Sequence, residues 1–218
     1  MTLRSTWEGR SDMRSLWIML VVLAFGLSAC VGSAPDGTPT PSTSSPTAGA
    51  TLPAGFALRS GDGFQVAIPS AWVDLPEATR SYPDAALEVG IPFTGQSLLQ
   101  PSLTAWVDRS ANLGAARSQA ELAQVRVRAD IPDAKVGELQ EIPIMGALSA
   151  LWFEYSYEMD AATSVQDTPL EAATYRVRDL TVQVNGKPQF GFRYSAAAAD
   201  FSEAIWADIT SSLVVKAD

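Results

Sequence analysis

Few side chains in this 218-residue chain have the types and spacing that chemistry requires. There is no histidine and one cysteine. Histidine is the commonest general base and a frequent zinc ligand, so its absence removes Ser-His-Asp triads, Cys-His nucleophiles and His-containing zinc sites. A single cysteine forms no internal disulfide and no thiolate cluster. What remains for catalysis is a carboxylate site, or a serine paired with one of the three lysines, Lys135, Lys187 and Lys216. Glu154 and Glu158 share one strand face with Ser156 between them. Residues i and i+4 of a strand stand about 13 Å apart, too far to act together in glycoside hydrolysis, and the face reads as solvent-facing. Asp130-Ile131-Pro132-Asp133 could bind a hard cation such as calcium, but two carboxylates in a loop are more often turn formers. Trp72, Trp106, Trp152 and Trp206, with Tyr155, Tyr157 and Tyr194, suit either an aromatic-lined pocket for an apolar or sugar ligand or ordinary packing. Trp106 and Trp152 stand out as candidate ligand contacts, because each faces away from its strand's main apolar stripe. Arg126 with Arg128 and Arg176 with Arg178 form two basic pairs. If the pairs met in space they could hold an anionic headgroup; the alternative is a solvated face.

These residues need elements to position them. Phe64, Val66 and Ile68 alternate with polar or small residues, the period of a half-buried strand, and Pro69 and Trp72 follow. Ala85, Leu87 and Val89 repeat the pattern, as do Leu103, Ala105 and Val107 with Trp106 on the opposite face. Over residues 113–130 the period becomes helical: Leu122, Val125 and Ala129 fall on one face, expected to pack inward, with Arg117, Glu121 and Arg128 elsewhere. Asn112 is a candidate cap. Val125 to Arg128 also suits a strand. Residues 134–195 read as β. Leu151, Phe153, Tyr155, Tyr157 and Met159 share one face. Tyr175 and Val177 are out of phase with Leu180, Val182 and Val184, and a bulge or turn near Arg178-Asp179 would restore register. Asn185-Gly186 marks a tight hairpin, with Phe190, Phe192 and Tyr194 on its return strand. The last helix opens with a capping-box-like Asp200-Phe201-Ser202-Glu203. It carries a stripe of Phe201, Ile205, Ile209 and Leu213, with Ala204 beside it and Trp206 at its edge. Strands joined by short turns with helices between them imply an α+β fold, an antiparallel sheet with two main helices packed on it.

The first 30 residues differ in kind. Arg4, Arg10 and Arg14 precede or flank an apolar run from Leu16 to Leu27, which ends in small residues. A basic segment, a short apolar stretch and a small-residue cleavage site make a secretory signal peptide. Twelve helical residues span roughly 18 Å against about 30 Å of hydrocarbon, too short to cross well. Met13 is an alternative start with a tidier basic segment. Leu27-Ser28-Ala29-Cys30 resembles the lipobox of bacterial lipoproteins. That resemblance implies cleavage before Cys30, a thioether-linked diacylglycerol on its sulfur, and often an N-terminal acyl chain such as palmitate. Two or three acyl chains anchor stably where one is marginal. Residues 31–54 then contain five Pro, five Thr and four Ser with one charge, Asp36. Such a spacer buries too little apolar surface to offset its ordering entropy, and it reaches from ~27 Å as a coil to ~74 Å fully extended. Its Ser/Thr-Pro content also permits O-glycosylation. The expected organisation is a signal peptide over 1–29, the lipidated cysteine and linker over 30–54, and one domain over 55–218.

Gly63-Phe64-Gln65-Val66-Ala67-Ile68-Pro69-Ser70-Ala71-Trp72, the hairpin leading through Tyr194-Ser195 into the Phe201-to-Leu213 helix, and the lipobox with its spacer together resemble the Mog1/PsbP-like group, in particular the LpqN-type lipoproteins of actinobacteria. The resemblance covers the whole domain and implies an α/β/α sandwich with a central antiparallel sheet. It also implies binding rather than catalysis. Metal sites that use histidine do not carry over, because the chain has none.

Formal charge is -9, so the basic footprint of a nucleic-acid binder is missing. The expected object is a non-enzymatic cell-envelope lipoprotein without a cofactor. Its domain, anchored on the extracytoplasmic face of the membrane, binds an envelope protein or an apolar ligand. A carrier with a lipid cavity between sheet and helices is the alternative, and a carboxylate-based hydrolase the third.

Overall fold

The computed structural model describes residues 52–75, 84–92, 100–110, 114–160, 162–163, 169–186 and 188–217. Leu27, Ser28, Ala29, Cys30 and Asn112 lie outside the described residues, as does most of the spacer. Strand β1 (Phe56–Gly61) pairs with β2 (Phe64–Pro69), and β13 (Val214–Val215) adds to β2, giving a three-stranded antiparallel sheet. The main sheet has the order β3 (Val73–Asp74), β4 (Leu87–Gly90), β5 (Ser102–Asp108), β12 (Gln189–Ala197), β11 (Ala173–Gln183), β8 (Ser149–Met159) and β6 (Lys135–Val136). Strand β7 (Gln140–Glu141) also pairs with β8, and every pairing in this sheet is antiparallel. Two short strands, β9 (Ala162–Thr163) and β10 (Pro169–Leu170), pair only with each other. Helix α1 (Ala116–Asp130) follows β5, and α2 (Glu203–Ser212) follows β12.

Alternate side chains of the main sheet enter two different cores. On one face Leu103, Ala105, Phe190, Phe192, Tyr194, Leu180 and Val182 pack against Trp206, Ile209 and Leu213 from α2 and its C-terminal end, and against Phe64, Val66 and Ile68 from β2. Phe64 meets Phe192 edge-on at 5.2 Å between centroids, an arrangement that places ring edge against ring face. On the other face Phe153, Tyr155 and Val177 pack against Val127 of α1, and Leu151 against Ala116 and Ala120. The result is an α+β fold of the α/β/α kind: α1 on one side of a central antiparallel sheet, α2 and the small sheet on the other.

The structure departs from the sequence expectations in several places. No bulge interrupts β11. It pairs residue by residue with β8 from Ala173 opposite Met159 to Gln183 opposite Ser149. The apolar phase switches because both faces are covered, so Tyr175 and Val177 serve the α1 side and Leu180 and Val182 the α2 side. A sheet buried on both faces has no need of strict alternation.

Helix α1 exists but turns the other way. Its buried residues are Ala116, Ala120, Gln124 and Val127, while Leu122 and Val125 are 42% and 58% exposed. The sheet beneath carries large rings at Phe153 and Tyr155, so the helix can approach only on small side chains. Its N-cap, Ala115, has no capping side chain of its own. Gln183 supplies the acceptor from the sheet, its Oε1 taking the Ala116 N–H at 3.1 Å.

Helix α2 starts one residue after its cap Ser202, whose Oγ accepts the Ile205 N–H at 3.2 Å. The expected stripe does pack on the sheet, Ile209 and Leu213 buried and Phe201 and Ile205 partly so, but Trp206 lies buried within it rather than at its edge, and Ala204 is exposed. Finally, β1 has no counterpart in the sequence reading. It is a weakly apolar edge strand held by pairing to β2.

The β11–β12 hairpin forms as expected, with Gly186 at φ 87°. The connection runs from Gln183, paired with Gln189, through five residues, and so is longer than a two-residue turn.

The orientation of α1 sets a direct test. Ala120→Leu should cost about 1–3 kcal/mol by overpacking against Leu151, whereas Val125→Lys should change stability by less than about 0.5 kcal/mol. Urea unfolding of the two variants reads the difference; equal effects would place the wrong face inward.

Candidate functional site

On the α2 side of the sheet, the apolar phase of β11 continues into charge. Arg176 and Arg178 lie in phase with Leu180 and Val182, and Arg178 sits directly opposite Glu154 of β8 and Tyr194 of β12. Glu203, the first residue of α2, closes the group from above. Glu154 takes Arg176 Nη2 at 2.7 Å and Arg178 Nε at 2.8 Å. Glu203 takes Arg178 Nη1 at 2.7 Å, Arg178 Nη2 at 2.9 Å and Arg176 Nη2 at 2.9 Å. Each carboxylate therefore bridges both arginines, in a closed ring of four charges that sums to zero.

Aromatic side chains fix the guanidinium planes. Arg176 lies 4.2 Å from the Phe201 ring, and Arg178 lies 4.7 Å from Trp152, 5.1 Å from Phe201 and 5.6 Å from Trp206. Cation–π contacts of this kind gain strength as water is excluded. Beside them, burial pushes the Tyr194 phenol up, and its oxygen accepts the Ser202 N–H at 3.0 Å. The charges are unevenly sheltered. The Arg178 side chain is 9% exposed, Glu154 31% and Glu203 61%. The fork of Arg178, acting against modest burial, holds the Glu203 carboxyl below the ordinary 4.5. A hydrogen bond to Glu154 is the main cause of a raised pKa at Arg176.

Across the sheet lies a second polar row. Glu88, Thr104, Arg193 and Asp179 are successive cross-strand partners on β4, β5, β12 and β11. Arg193 grips Asp179 in a bidentate pair at 2.6 and 2.7 Å. Glu88, Thr104 and Asp179 are all buried. Trp106 lies on the same side over its partner Gly191, where an added Cβ would overlap the indole.

The structure separates several residues that the sequence grouped. Trp106 and Trp152 occupy opposite faces of the sheet and do not line one site. Trp152 instead packs on Trp206 at 5.8 Å between centroids. The two arginine pairs do not meet either: Arg176 and Arg178 face α2, while Arg126 and Arg128 are exposed on α1, which covers the other side. The strand face carrying Glu154 is not simply solvent-facing. Glu154 is held by two arginines, and Glu158, further along, accepts the Thr174 hydroxyl at 2.7 Å. Asp130 and Asp133 are exposed where the chain leaves α1, and among the described residues no group of three or more His, Cys, Asp or Glu is placed to hold a metal ion. In the sequence Glu203 reads only as a helix-start residue. The usable signal was the charge at 176 and 178 continuing the apolar phase of 180 to 184, which asks for buried counter-charges from a neighbouring element.

No family model and no curated protein sequence matches the chain. Among solved structures, the chain is similar to LpqN of Mycobacterium tuberculosis, described as involved in cell envelope biogenesis. That match has a TM-score of 0.47 and 13% identity, over 73% of this chain and 87% of that one. It is also similar to the Saccharomyces cerevisiae Ran-binding protein Mog1p, with a TM-score of 0.43 and 6% identity over 70% of this chain and 90% of that one. A putative regulator from Pseudomonas aeruginosa matches with a TM-score of 0.35 and 15% identity, over 66% and 85%.

The ring predicts two graded effects. Glu154→Ala strands Arg178 with one partner and should cost about 2–3 kcal/mol, below the figure for a fully buried pair because Glu154 keeps some exposure. Glu203→Ala, at an exposed position, should cost less than about 1 kcal/mol. Because the Glu203 pKa is lower folded than unfolded, its contribution is complete above pH 4.5 and is lost as pH falls through the depressed value. Glu203→Gln should therefore flatten part of the acid limb of a stability–pH curve. An unchanged limb would show that the carboxylate is not held in solution.

Proposed function

We infer that the chain is a lipid-anchored cell-envelope protein carrying a non-catalytic binding domain outside the cytoplasmic membrane. The observation that carries the reading is the position of the one cysteine. Cys30 follows Leu27-Ser28-Ala29 at the end of the apolar run, where a chance cysteine had the whole chain to fall in. Residues 1–29 are the cleaved leader, 30–54 the acylated terminus and tether, and 55–218 the displayed domain. Among the described residues no helix is long and apolar enough to cross a membrane.

The domain geometry supports this arrangement. The chain enters β1 at Phe56, opposite Pro69, so the tether joins at that end of β2 and the Gly61–Phe64 turn lies at the other end. With 12 basic and 21 acidic residues over 55–218, the body is repelled by anionic headgroups and stands off on its spacer. Binding is favoured over hydrolysis by the state of the carboxylates. Glu154 and Glu203 converge, but both are gripped by arginines, and Glu203 is held ionised. A general acid needs the opposite shift.

The reading as an apolar carrier requires space between sheet and helices. On the α2 side the rings of Tyr194, Phe201, Trp206 and Trp152 close on one another, with Tyr194 and Phe201 centroids 4.6 Å apart. On the α1 side Phe153 and Tyr155 stack beneath the helix at 5.9 Å. These contacts favour a surface-binding module whose partner is an envelope protein.

Fractionation tests the anchor. The native chain should partition with membranes, incorporate an alkyne fatty acid, and show an intact mass that begins at an acylated Cys30. Cys30→Ala should lose the label and leave the membrane fraction. Retention of Cys30→Ala in membranes with normal processing would refute the anchor.

A further inference from the structure

We propose that Arg176 and Arg178 form an oxyanion-binding site, for a phosphate or carboxylate group borne by a ligand, whose seat Glu203 fills in the free protein. The site is built from two directions. From beneath, Glu154 takes the Nε atoms of both arginines, at 3.2 Å from Arg176 and 2.8 Å from Arg178. Arg176 Nη2 and Arg178 Nη2 also reach Glu154, at 2.7 and 2.8 Å, and each keeps a second N–H that converges with Arg178 Nη1 on one point above. Glu203 occupies that point with all three contacts at 2.7–2.9 Å. Planar forks aimed at a single acceptor pair are the geometry that recognises carboxylate and phosphate.

The occupant differs from the seat. Arg178 is 9% exposed and wedged among Trp152, Phe201 and Trp206, so its orientation persists without Glu203. Glu203 is 61% exposed, and water can solvate its carboxylate when it swings away. Once it leaves, two guanidinium groups face one carboxylate, Glu154, and the seat carries a net positive charge in a protein of net charge -9. An incoming oxyanion accepts the same three donors. A purely architectural ring would bind nothing in exchange.

The proposal names the part of the displayed domain that takes a ligand, and so rests on the binding-module reading; the Cys30→Ala fractionation stays readable whatever follows here. The purified full-length chain in detergent at low ionic strength is titrated with inorganic phosphate, with acetate, and with chloride as control. Binding is followed by calorimetry and by the arginine Nε–H signals in NMR. Glu203→Gln and Glu203→Ala should each bind phosphate or acetate about tenfold more tightly than the native chain, the equivalent of one charge-assisted hydrogen bond regained. Adding Arg176→Lys, a change at a partly exposed position, should remove the gain. A gain with phosphate alone assigns a phosphate-bearing ligand, and an equal or greater gain with acetate assigns a carboxylate. If both Glu203 variants are folded by circular dichroism and bind neither anion more tightly than the native chain, or if the gain survives Arg176→Lys, the site does not exist.

Discussion

Unbroken pairing of β8 with β11 is the constraint on which the molecule turns. Eleven consecutive residues of each strand face each other without a slip. A shift of one residue would exchange the faces of one strand relative to the other. With β8 held in place, it would put Arg176 and Arg178 on the α1 side, against Phe153 and Tyr155, and turn Tyr175 and Val177 towards α2. The desolvation cost of two arginines in an apolar layer, parted from Glu154, makes such a slip far less stable than the observed register. The charges thus do two jobs: they close a ring with Glu203, and they define which register is native.

The two helices use that sheet differently. Helix α1 meets a floor of large rings, and its contact surface is therefore small: Ala116, Ala120 and Val127, with Gln124 reaching the Gly137 carbonyl at 2.7 Å. Helix α2 meets a floor that is part aromatic and part charged. It brings Trp206 and Ile209 to the first region and Glu203 to the second. Side-chain size is complementary in one layer, and charge in the other. The small sheet completes the α2 layer, where the Ser212 hydroxyl at the end of α2 accepts the Ala67 N–H of β2 at 3.0 Å.

The opposite face holds the Glu88–Thr104–Arg193–Asp179 row, which is also polar but closed. Asp179 and Glu88 are both more deeply buried than Glu203. Burial of this depth makes a charge structural, since removing either partner leaves the other uncompensated. Exposure of one member is what distinguishes the α2-side ring, and it places any exchange with a ligand there.

Local pattern alone revealed much of this. Alternation identified β2, β4, β5, β8 and β12, and Asn185-Gly186 marked the last hairpin. These are properties of neighbouring residues, and nearest-neighbour physics expresses them directly. Other features needed the tertiary structure. Leu122 and Val125 form as good an apolar stripe as the alanines behind them, and only the rings of Phe153 and Tyr155 decide which side goes in. Tyr175 and Leu180 lie out of phase for the simple reason that a different layer covers each. Glu154, Arg176, Arg178 and Glu203 are separated by up to 49 positions in the chain, and no local rule couples them. Their meeting depends on strand register and on where α2 begins, both of which are settled by packing energies summed over the whole domain.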